Sequence, residues 1–418
     1  MELLSLGIIL ALLFLGLLLL GVWVGFSLIA VAAIALVLNN NTSIELIFAA
    51  SAFSHLSSWS LLALPLFIWM GELLHKANIA EDLFNGLSPL CSKLPGGHLH
   101  MNVLGSGIFA ALSGSSAATA ATIGRMTIPE LKKRGYNTQD IYGSLAGSAT
   151  LGLLIPPSIM LIVYGVAADV SIANLFVAGI IPGLILLSLF SLFIAFKSHN
   201  RTSSVMDTNT RYKPLKVLPF IMLILAVILS IYFGIATPSE SAVLGIVGSL
   251  ILIKIKKKLS IKLIQQSLIE AAMTTAMILF ILLGASFVTI SMGFLQLPAS
   301  LASWIGSLSL SQMELIVCLT LAFILLGLFL DGISIIVLTS AIILPMVELA
   351  GFDLIWFGIY LVIVVEISQI TPPIGFNLFV LKSLTGDSIG SLAKASLPYF
   401  LIMLLMLVIL YAYPSLVI

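Results

Sequence analysis

Long runs of apolar residues constrain the fold of this chain more than any other feature. The segment 173–196 contains no charged side chain, and similar runs recur along the sequence. A helix of about 20 apolar residues spans the roughly 30 Å hydrocarbon core of a bilayer. Only 8% of the 418 residues are charged, against about 25% in a soluble domain. The sequence therefore excludes a soluble enzyme, a nucleic-acid-binding protein and a disordered chain, and it predicts an all-α polytopic membrane protein.

The predicted spans follow the apolar runs. They lie near 3–20, 22–38, 60–74, 141–166, 173–196, 217–233, 239–254, 276–292, 354–382 and 397–414. Small and polar residues interrupt two further regions, 99–128 and 313–346, which are predicted to be re-entrant hairpins. No basic segment precedes the first run, so we expect a retained span rather than a cleaved signal peptide. The segments 45–57 and 259–270 are predicted to be interfacial helices that lead into a span.

The chain contains a weak internal repeat. LFIWMGEL begins at Leu66 and LFILLGAS begins at Leu279, which is 213 positions later. The pair Pro156-Pro157 precedes Pro372-Pro373 by 216 positions. Chance similarity among apolar helices is the alternative explanation. The repeat predicts a first half at 1–196, a polar cytoplasmic linker at 197–216 and a second half at 217–418, each half with five spans plus one re-entrant hairpin.

Basic residues predict that the two halves are inverted relative to each other. An odd number of spans per half reverses the second half, so equivalent loops lie on opposite faces. Loop 125–140 is rich in Lys and Arg, whereas its equivalent 346–353 has neither. Segment 254–262 holds five lysines, and its equivalent 39–45 holds none. All basic loops then share the cytoplasmic face and both termini lie outside, an arrangement typical of secondary transporters.

Four segments predict irregular backbone within the membrane: the hairpin tips 112–116 and 330–334 and the breaks 152–158 and 368–377. A proline pair removes two N–H donors and breaks the helix, which frees carbonyl oxygens and exposes the N–H groups of the next half-helix. Such backbone must be buried in protein or line an aqueous cavity. Carbonyl and hydroxyl oxygens suit a small cation, and helix N-termini suit an anion. The pattern predicts two cation sites around one anion site; close helix packing and simple kinks are the alternatives.

Acidic residues near these segments have more than one interpretation. Asp331 at the second tip is predicted to bind Na⁺ or H⁺, and the alternative is a water-exposed tip. Glu366 precedes the second break and either orients that loop or titrates. Glu240 follows Thr237 and fits the cap of a helix.

Other motifs point to packing rather than chemistry. The pairs Gly143/Gly147 and Gly179/Gly183 fit small-residue helix packing. His98 and His100 supply too few ligands for a transition-metal site. The sequence has no Walker A, HExxH or GxSxG motif, so ATP-driven transport and common hydrolytic chemistries lose support.

Several long segments resemble one known family. They are GSGIFAALSGSSAATAATIGRMTIPELKKRGY (105–136), GSATLGLLIPPSIMLIVYGVAADVSIANLFVAGIIPG (147–183), TPSESAVLG (237–245) and ITPPIGFNLFVL (370–381). They are similar to the large membrane subunit of TRAP transporters, the tripartite ATP-independent periplasmic transporters, in the DctM-like family. The likeness extends over essentially the whole chain.

The resemblance implies a fold, a function and partners. Such subunits are similar in fold to elevator-type ion transporters and reside in the bacterial inner membrane, which would make both termini periplasmic. They work with a small membrane subunit and a periplasmic substrate-binding protein. They import organic acids, such as C4-dicarboxylates or sialic acid, driven by a Na⁺ gradient. The chain ends near Ile418 without an extra N-terminal domain, so we expect the small subunit to be a separate chain.

The resemblance also implies site residues. One Na⁺ site would use Ser113, Ser115, Gly152 and the carbonyls before Pro156. The second would use Asp331, Ser334 and Thr371. The substrate is expected between the two sites, near a set of residues from both halves: Ser116, Thr119, Pro157, Gly375 and Asn377. No Arg lies at a tip or a proline break, so helix N-termini, hydroxyls, an amide or the bound Na⁺ must hold the carboxylate.

Four other classes of membrane protein are alternatives, one of which, a purely structural membrane partner, would leave the two broken-helix sites without a purpose. A stand-alone carboxylate symporter would transport without a binding protein. A channel would conduct without saturation. A membrane-embedded enzyme would need a catalytic dyad, and no convincing pair is present in the sequence.

Overall fold

The computed structural model describes residues 2–39, 43–77, 80–198, 216–297, 300, 310–328, 330–372 and 375–417, and within them it contains helices and no strand. The α-helices are α1 (Glu2–Leu19), α2 (Val24–Leu38), α3 (Ile44–Leu56), α4 (Ala63–Lys76), α5 (Ala80–Cys91), α6 (His100–Ser113), α7 (Ser116–Lys133), α8 (Thr138–Ala149), α9 (Leu151–Leu154), α10 (Ile159–Ala167), α11 (Ile172–Ser198), α12 (Leu218–Tyr232), α13 (Pro238–Ile255), α14 (Ile261–Phe294), α15 (Gln312–Leu326), α16 (Gly332–Leu349), α17 (Leu354–Gln369), α18 (Phe376–Thr385) and α19 (Ile389–Ala412). Short 3₁₀ turns occupy Trp59–Leu62, Gly97–Leu99 and Pro414–Leu416.

Several helices are long and apolar enough to cross a membrane. Within the described part of the chain, four helices, α11, α13, α14 and α19, meet this condition alone, and three bent pairs meet it when each pair counts as one span. The α3–α4 pair bends by 59°, the α8–α10 segment by 43° and α16 by 64°. Other predicted spans are apolar helices of 10–17 residues, shorter than a straight crossing needs. Together these segments make a multi-pass membrane protein.

The outer surface of the fold is apolar, as a lipid-facing surface must be. Large side chains such as Phe196 and Leu192 are 78% and 53% exposed along α11. A soluble protein rarely exposes a continuous apolar patch of this kind. The surface therefore agrees with the membrane class that the sequence predicts.

The structure shows how two of the predicted segments are built. The segment 259–270, predicted to lead into a span, continues into it as one helix, because α14 runs unbroken from Ile261 to Phe294. No glycine or proline lies between 261 and 283, so nothing ends the first part of this helix. The segment 45–57 does form its own helix, α3. The predicted loop 75–98 contains an additional helix, α5.

Both predicted hairpins consist of two helices. In the first hairpin α6 and α7 pack against each other, and only Gly114 and Ser115 separate them. Gly114 has a φ of +60°, a backbone conformation that costs glycine little. In the second hairpin α15 and α16 are separated by 327–331. The two broken spans are also present, as α8–α10 and α17–α18.

Helix α17 forms the centre of the fold. Every residue from Trp356 to Gln369 is buried, as is every residue of α10 from Ile159 to Gly165. A helix that is buried all round belongs to the interior of a large protein. Helices α10 and α17, one from each broken span, therefore lie inside the molecule, where irregular backbone beside them can be shielded from lipid.

Glycines allow the interior helices to approach closely. A Cβ atom at Gly143 would lie 2.2 Å from the carbonyl oxygen of Ala395 in α19. A Cβ atom at Gly179 would lie 2.9 Å from the carbonyl oxygen of Leu154. The predicted packing role of these glycines is confirmed.

Paired caps begin two of the helices. The Thr237 side chain accepts from the Glu240 amide, while the Glu240 carboxylate accepts from the Thr237 amide at the start of α13. The cap that the sequence predicts for Glu240 is confirmed. Ser311 and Glu314 make the same box at the start of α15, which sequence inspection missed although the S-x-x-E spacing was present.

An ion-pair cluster joins distant parts of the chain outside the spans. The Asp82 carboxylate lies 3.1 Å from Lys216 Nζ and 2.8 Å from Lys256 Nζ. Partial burial alone would raise the pKa of Asp82, but its hydrogen bonds to the two lysines outweigh burial and hold the pKa below its ordinary value. A similar pair joins Lys197 Nζ to Asp140 at 2.6 Å. The end of the linker region and the 254–258 lysine run therefore share one face with α5.

Candidate cation and substrate site

The first hairpin tip packs directly on the first break. A Cβ atom at Gly152 would lie 2.8 Å from the backbone carbonyl carbon and oxygen of Ser115 and from the amide nitrogen of Ser116. A Cβ atom at Gly114 would lie 3.0 Å from the carbonyl oxygen of Pro157. Two glycines thus let the backbones of tip and break touch. The structure brings together the tip and break residues that the sequence assigned to one site.

Hydroxyl and carbonyl oxygens cluster at this first tip. The hydroxyls of Ser113 and Thr119 lie 3.1 Å apart, and the Thr119 hydroxyl donates to the Ser115 carbonyl at 2.7 Å. The Ser115 side chain caps α7 by accepting from the amide of Ala118. Ser113 and Thr119 are buried. Thr119, predicted near the substrate, therefore lies in the same cluster as the predicted Na⁺ ligands.

The proline pair explains the shape of the first break. A helical carbonyl normally accepts from the amide four residues later, and Pro156 and Pro157 have no N–H to give. The carbonyls of Gly152 and Leu153 therefore lose their usual helical donors. The Ser158 hydroxyl donates to the Leu153 carbonyl and also caps α10. The Gly152 carbonyl, beside the tip, remains as an oxygen that a cation can use.

The second hairpin tip is built around Asp331. Its carboxylate caps α16 by accepting from the amides of Ile333 and Ser334 at 3.2 and 3.4 Å, and from the Ser334 hydroxyl. Asp331 is exposed and Ser334 is buried. This exposure fits the water-exposed alternative for Asp331 as well as a cation site. Predicted ligands Asp331 and Ser334 are thus adjacent.

Thr371, the third residue predicted for the second cation site, hydrogen-bonds to α17, the helix that precedes it. Its hydroxyl donates to the carbonyl of Ile367 in α17 at 2.6 Å. Among the described residues, no hydrogen bond joins Thr371 to Asp331 or Ser334. The second tip instead packs through Gly332, where a Cβ atom would lie 1.9 Å from Met160 Cε and 2.6 Å from Val365 Cγ1.

The second break places an amide against the first tip. Asn377, in the first turn of α18, is fully buried, and its Nδ2 donates to the Ser116 hydroxyl at 2.5 Å. Within the described part of the chain, its Oδ1 has no hydrogen-bond partner. Two residues predicted near the substrate, from opposite halves of the sequence, are therefore in contact.

The turn before α18 requires a glycine. A Cβ atom at Gly375 would lie 2.6 Å from the Gln369 carbonyl oxygen and 2.9 Å from the Thr371 carbonyl oxygen. Gly375 therefore shapes the second break, as Pro157 shapes the first. Pro373, the second residue of the later proline pair, lies outside the described residues.

Two contacts at the site were missed from the sequence. A Cβ atom at Gly71 in α4 would lie 3.1 Å from the Cα and carbonyl oxygen of Ser113, so α4 abuts the first tip. Its position in the repeated LFIWMGEL motif was the available signal. Glu366 accepts from the amide of Leu153 in the first break at 3.1 Å. The sequence assigned Glu366 to the second break or to titration, and no sequence pattern pointed to the first break.

Comparison with known proteins identifies the family. The chain matches the family described as "Tripartite ATP-independent periplasmic transporter, DctM component" over residues 11–416. It is 31% identical over 372 residues to the C4-dicarboxylate TRAP transporter large permease protein DctM of Pseudomonas aeruginosa, covering 88% of this chain and 87% of that protein. It is 31% identical over 408 residues to the sialic acid TRAP transporter large permease protein SiaM of Vibrio cholerae, covering 96% and 95%.

Solved structures support the fold. The Alcanivorax borkumensis YdaH transporter aligns with a TM-score of 0.61 at 15% identity, covering 88% of this chain and 87% of that one. The Neisseria gonorrhoeae MtrF structure aligns with a TM-score of 0.56 at 14% identity, covering 88% and 83%. The resemblance that the sequence motifs indicated is confirmed. The chain belongs to the DctM component family of tripartite ATP-independent periplasmic transporters, whose members are transporter large permeases and not enzymes.

Proposed function

We propose that this permease imports an organic acid together with Na⁺, after a periplasmic binding protein delivers the acid to its outer face. The observation that carries the proposal is the contact between the first tip and the first break, where the Cβ position of Gly152 lies 2.8 Å from the Ser115 carbonyl oxygen. The contact gathers hydroxyl and carbonyl oxygens beside a freed carbonyl. Unwound backbone of this kind coordinates Na⁺ in secondary transporters.

Two Na⁺ sites are proposed. The first uses Ser113, Ser115 and Gly152 with the carbonyls before Pro156, and its support is the oxygen cluster at the first tip. The second uses the Asp331 carboxylate and the Ser334 hydroxyl, which are adjacent, together with Thr371 at the second break. Hydroxyl, carbonyl and carboxylate oxygens are hard ligands, which suit Na⁺ better than a transition metal.

The substrate is proposed to lie between the two tips. The support for this pocket is the contact between Asn377 and Ser116, and the proposed lining also includes Thr119, Pro157 and Gly375. The half-helices α10 and α18 begin at the two breaks, so their N-terminal N–H groups can bind a carboxylate. The names of the relatives support a C4-dicarboxylate or a sialic acid as the substrate type.

An elevator movement of inverted repeats is proposed as the mechanism. Its support is the order of elements, since a helix pair and then a broken span occur in each half of the chain. Bound Na⁺ cancels the charge of the acid before the site crosses the membrane. Each net positive charge that moves inward gains about 2.3 kcal/mol per 100 mV, so an excess of Na⁺ over substrate charge drives accumulation.

Partners and orientation complete the proposal. The family implies a small membrane subunit, here proposed as a separate chain, and a periplasmic binding protein. We place the permease in the bacterial inner membrane with both termini in the periplasm. The ion pairs from Asp82 to Lys216 and Lys256 support this orientation, because they join three predicted cytoplasmic segments on one face.

Uptake by proteoliposomes that contain the permease, the small subunit and the binding protein tests the function. A thermal-shift screen of the binding protein against organic acids first identifies the substrate. Uptake should then require the binding protein and rise with an inward Na⁺ gradient. Uptake that is the same in Na⁺ and in choline would contradict Na⁺ coupling, and uptake without the binding protein would indicate a stand-alone symporter.

A further inference from the structure

Glu366 is a buried carboxyl group that connects the two broken spans. It lies in α17, two positions before Ser368, and its side chain is 1% exposed. Its Oε1 accepts a hydrogen bond from the Leu153 amide at 3.1 Å. A buried carboxyl group is costly in a membrane protein, so its presence at this point needs a specific cause.

The Leu153 amide belongs to the segment that shapes the first break. Leu153 follows Gly152, which packs on the first tip, and its carbonyl accepts from the Ser158 hydroxyl. Its amide also approaches the Thr150 carbonyl at 3.2 Å, within the same turn. Glu366 therefore adds a side-chain hydrogen bond from a different helix to the backbone packing that holds this turn.

Among the described residues, no matching hydrogen bond runs from the first broken span to the second break. The proline pairs lie 216 positions apart, so the position in the first half that matches Glu366 is Thr150. The Thr150 hydroxyl donates to the Gly147 carbonyl of its own helical turn at 2.6 Å. Glu366 of α17 therefore hydrogen-bonds to the first break. Thr150, the matching residue of the first broken span, hydrogen-bonds within its own helical turn.

We propose that Glu366 is a positioning residue for the first Na⁺ site, acting through the Leu153 amide. By fixing this turn, the carboxyl group sets where the Gly152 carbonyl points relative to Ser115. The inference rests on the proposed function, because it assigns Glu366 to a Na⁺ site that lies at the first tip and break. Its chemical requirement is a hydrogen-bond acceptor at the end of a side chain of this length.

Two substitutions distinguish the role of Glu366 as a hydrogen-bond acceptor from its role in filling space. Glu366→Gln keeps a carbonyl acceptor, and Glu366→Met keeps the length but removes the acceptor. We expect Glu366→Met to raise the Na⁺ concentration for half-maximal uptake by about tenfold, with a smaller change in maximal rate. Glu366→Gln should stay within about threefold of the wild type. Tyr360→Phe is the matched control. It removes a buried hydroxyl from the same helix, but this hydroxyl hydrogen-bonds to Thr320 and not to the first break.

Thermal unfolding of the purified permease–small subunit complex gives a readout that does not need transport. The stabilisation by NaCl relative to choline chloride should be retained in Glu366→Gln and Tyr360→Phe and reduced in Glu366→Met. Equal Na⁺ dependence in Glu366→Met and wild type would overturn the proposal, and so would equal loss in Glu366→Met and Glu366→Gln. If Glu366→Met does not fold, amide hydrogen exchange of the 150–158 peptide in Glu366→Gln tests the proposal. Exchange at the wild-type rate is expected, and faster exchange would contradict the acceptor role. If NaCl does not stabilise the wild-type complex relative to choline chloride, the proposed Na⁺ coupling itself would be contradicted.

Discussion

Neutral oxygen atoms define the first tip at the scale of single residues. Ser113, Ser115 and Thr119 contribute hydroxyl and carbonyl oxygens within hydrogen-bond distance of one another. The second tip differs, because its oxygen cluster contains the Asp331 carboxylate. Both Ser115 and Asp331 also cap a helix, so a substitution at either position changes helix stability as well as any bound ion. Tests at these residues need controls that remove a cap elsewhere.

Ser115→Ala should weaken Na⁺ activation. It removes a cap, at about 1 kcal/mol of stability, and a hydroxyl from the first tip. We expect the Na⁺ concentration for half-maximal uptake to rise about tenfold. Ser260→Ala is the control, because Ser260 caps α14 in the same way, by accepting from the Leu263 amide at 3.2 Å. If the two variants have the same Na⁺ dependence, Ser115 acts only as a cap.

Asp331→Asn separates charge from capping at the second tip. Asparagine caps helices about as well as aspartate, so thermal stability without Na⁺ should change little. Na⁺-dependent uptake should fall at least tenfold, because the site loses its only carboxylate. Asp353→Asn changes a comparable exposed cap, at the start of α17, and should leave uptake unchanged. Normal Na⁺ activation in Asp331→Asn would assign Asp331 to capping alone.

Contacts between backbones set the geometry of the site at the scale of helices. Gly152 and Gly114 let the first break and the first tip touch, and Gly375 permits the tight turn before α18. Because the atoms that meet are backbone atoms, no side-chain rotation can relieve a clash. Close packing at these points costs about 1–3 kcal/mol to disturb.

Gly152→Ala should separate the tip from the break. The added Cβ would meet backbone atoms of Ser115 and Ser116 at 2.8 Å, so one segment must move. We expect Na⁺-stimulated uptake to fall at least tenfold. Gly105→Ala, in the first hairpin, is the control, because the atom nearest to its added Cβ would be 3.6 Å away. The free energy of unfolding of Gly105→Ala should equal that of the wild type or exceed it by about 0.5–1 kcal/mol. Unimpaired uptake by Gly152→Ala would contradict the importance of the contact between tip and break.

The sequence predicted the helices and the tips of the whole molecule better than the contacts between them. Apolar runs and proline pairs act locally, so most helices and both breaks were predictable. The sequence did not show that the segment 259–270 and the following span form one helix, α14, because hydropathy does not show where a helix ends. The pairs Glu366–Leu153 and Asn377–Ser116 depend on the packing of distant segments, which a single sequence does not display.

The cluster around Asp82 should make stability depend on pH for the whole molecule. The folded-state pKa of Asp82 lies below the ordinary value of 3.8. Its contribution to stability is therefore complete above pH 3.8 and is lost as the pH falls through the lowered pKa. Asp82→Asn should lower the thermal unfolding temperature by a constant amount between pH 5 and pH 7. The difference in unfolding temperature between the wild type and Asp82→Asn should become smaller below pH 3.8. A difference that does not change with pH would contradict a contribution from the Asp82 charge.

The hydrogen bond from Leu153 to Glu366 has a consequence for biosynthesis. The acceptor is synthesised 213 residues after the donor, and Asn377 follows Ser116 by 261 residues. The early segments therefore enter the bilayer without these two partners, which are added only when the late segments leave the ribosome. A nascent chain stalled before residue 366 should hold an incomplete first break, however correctly its early helices have inserted.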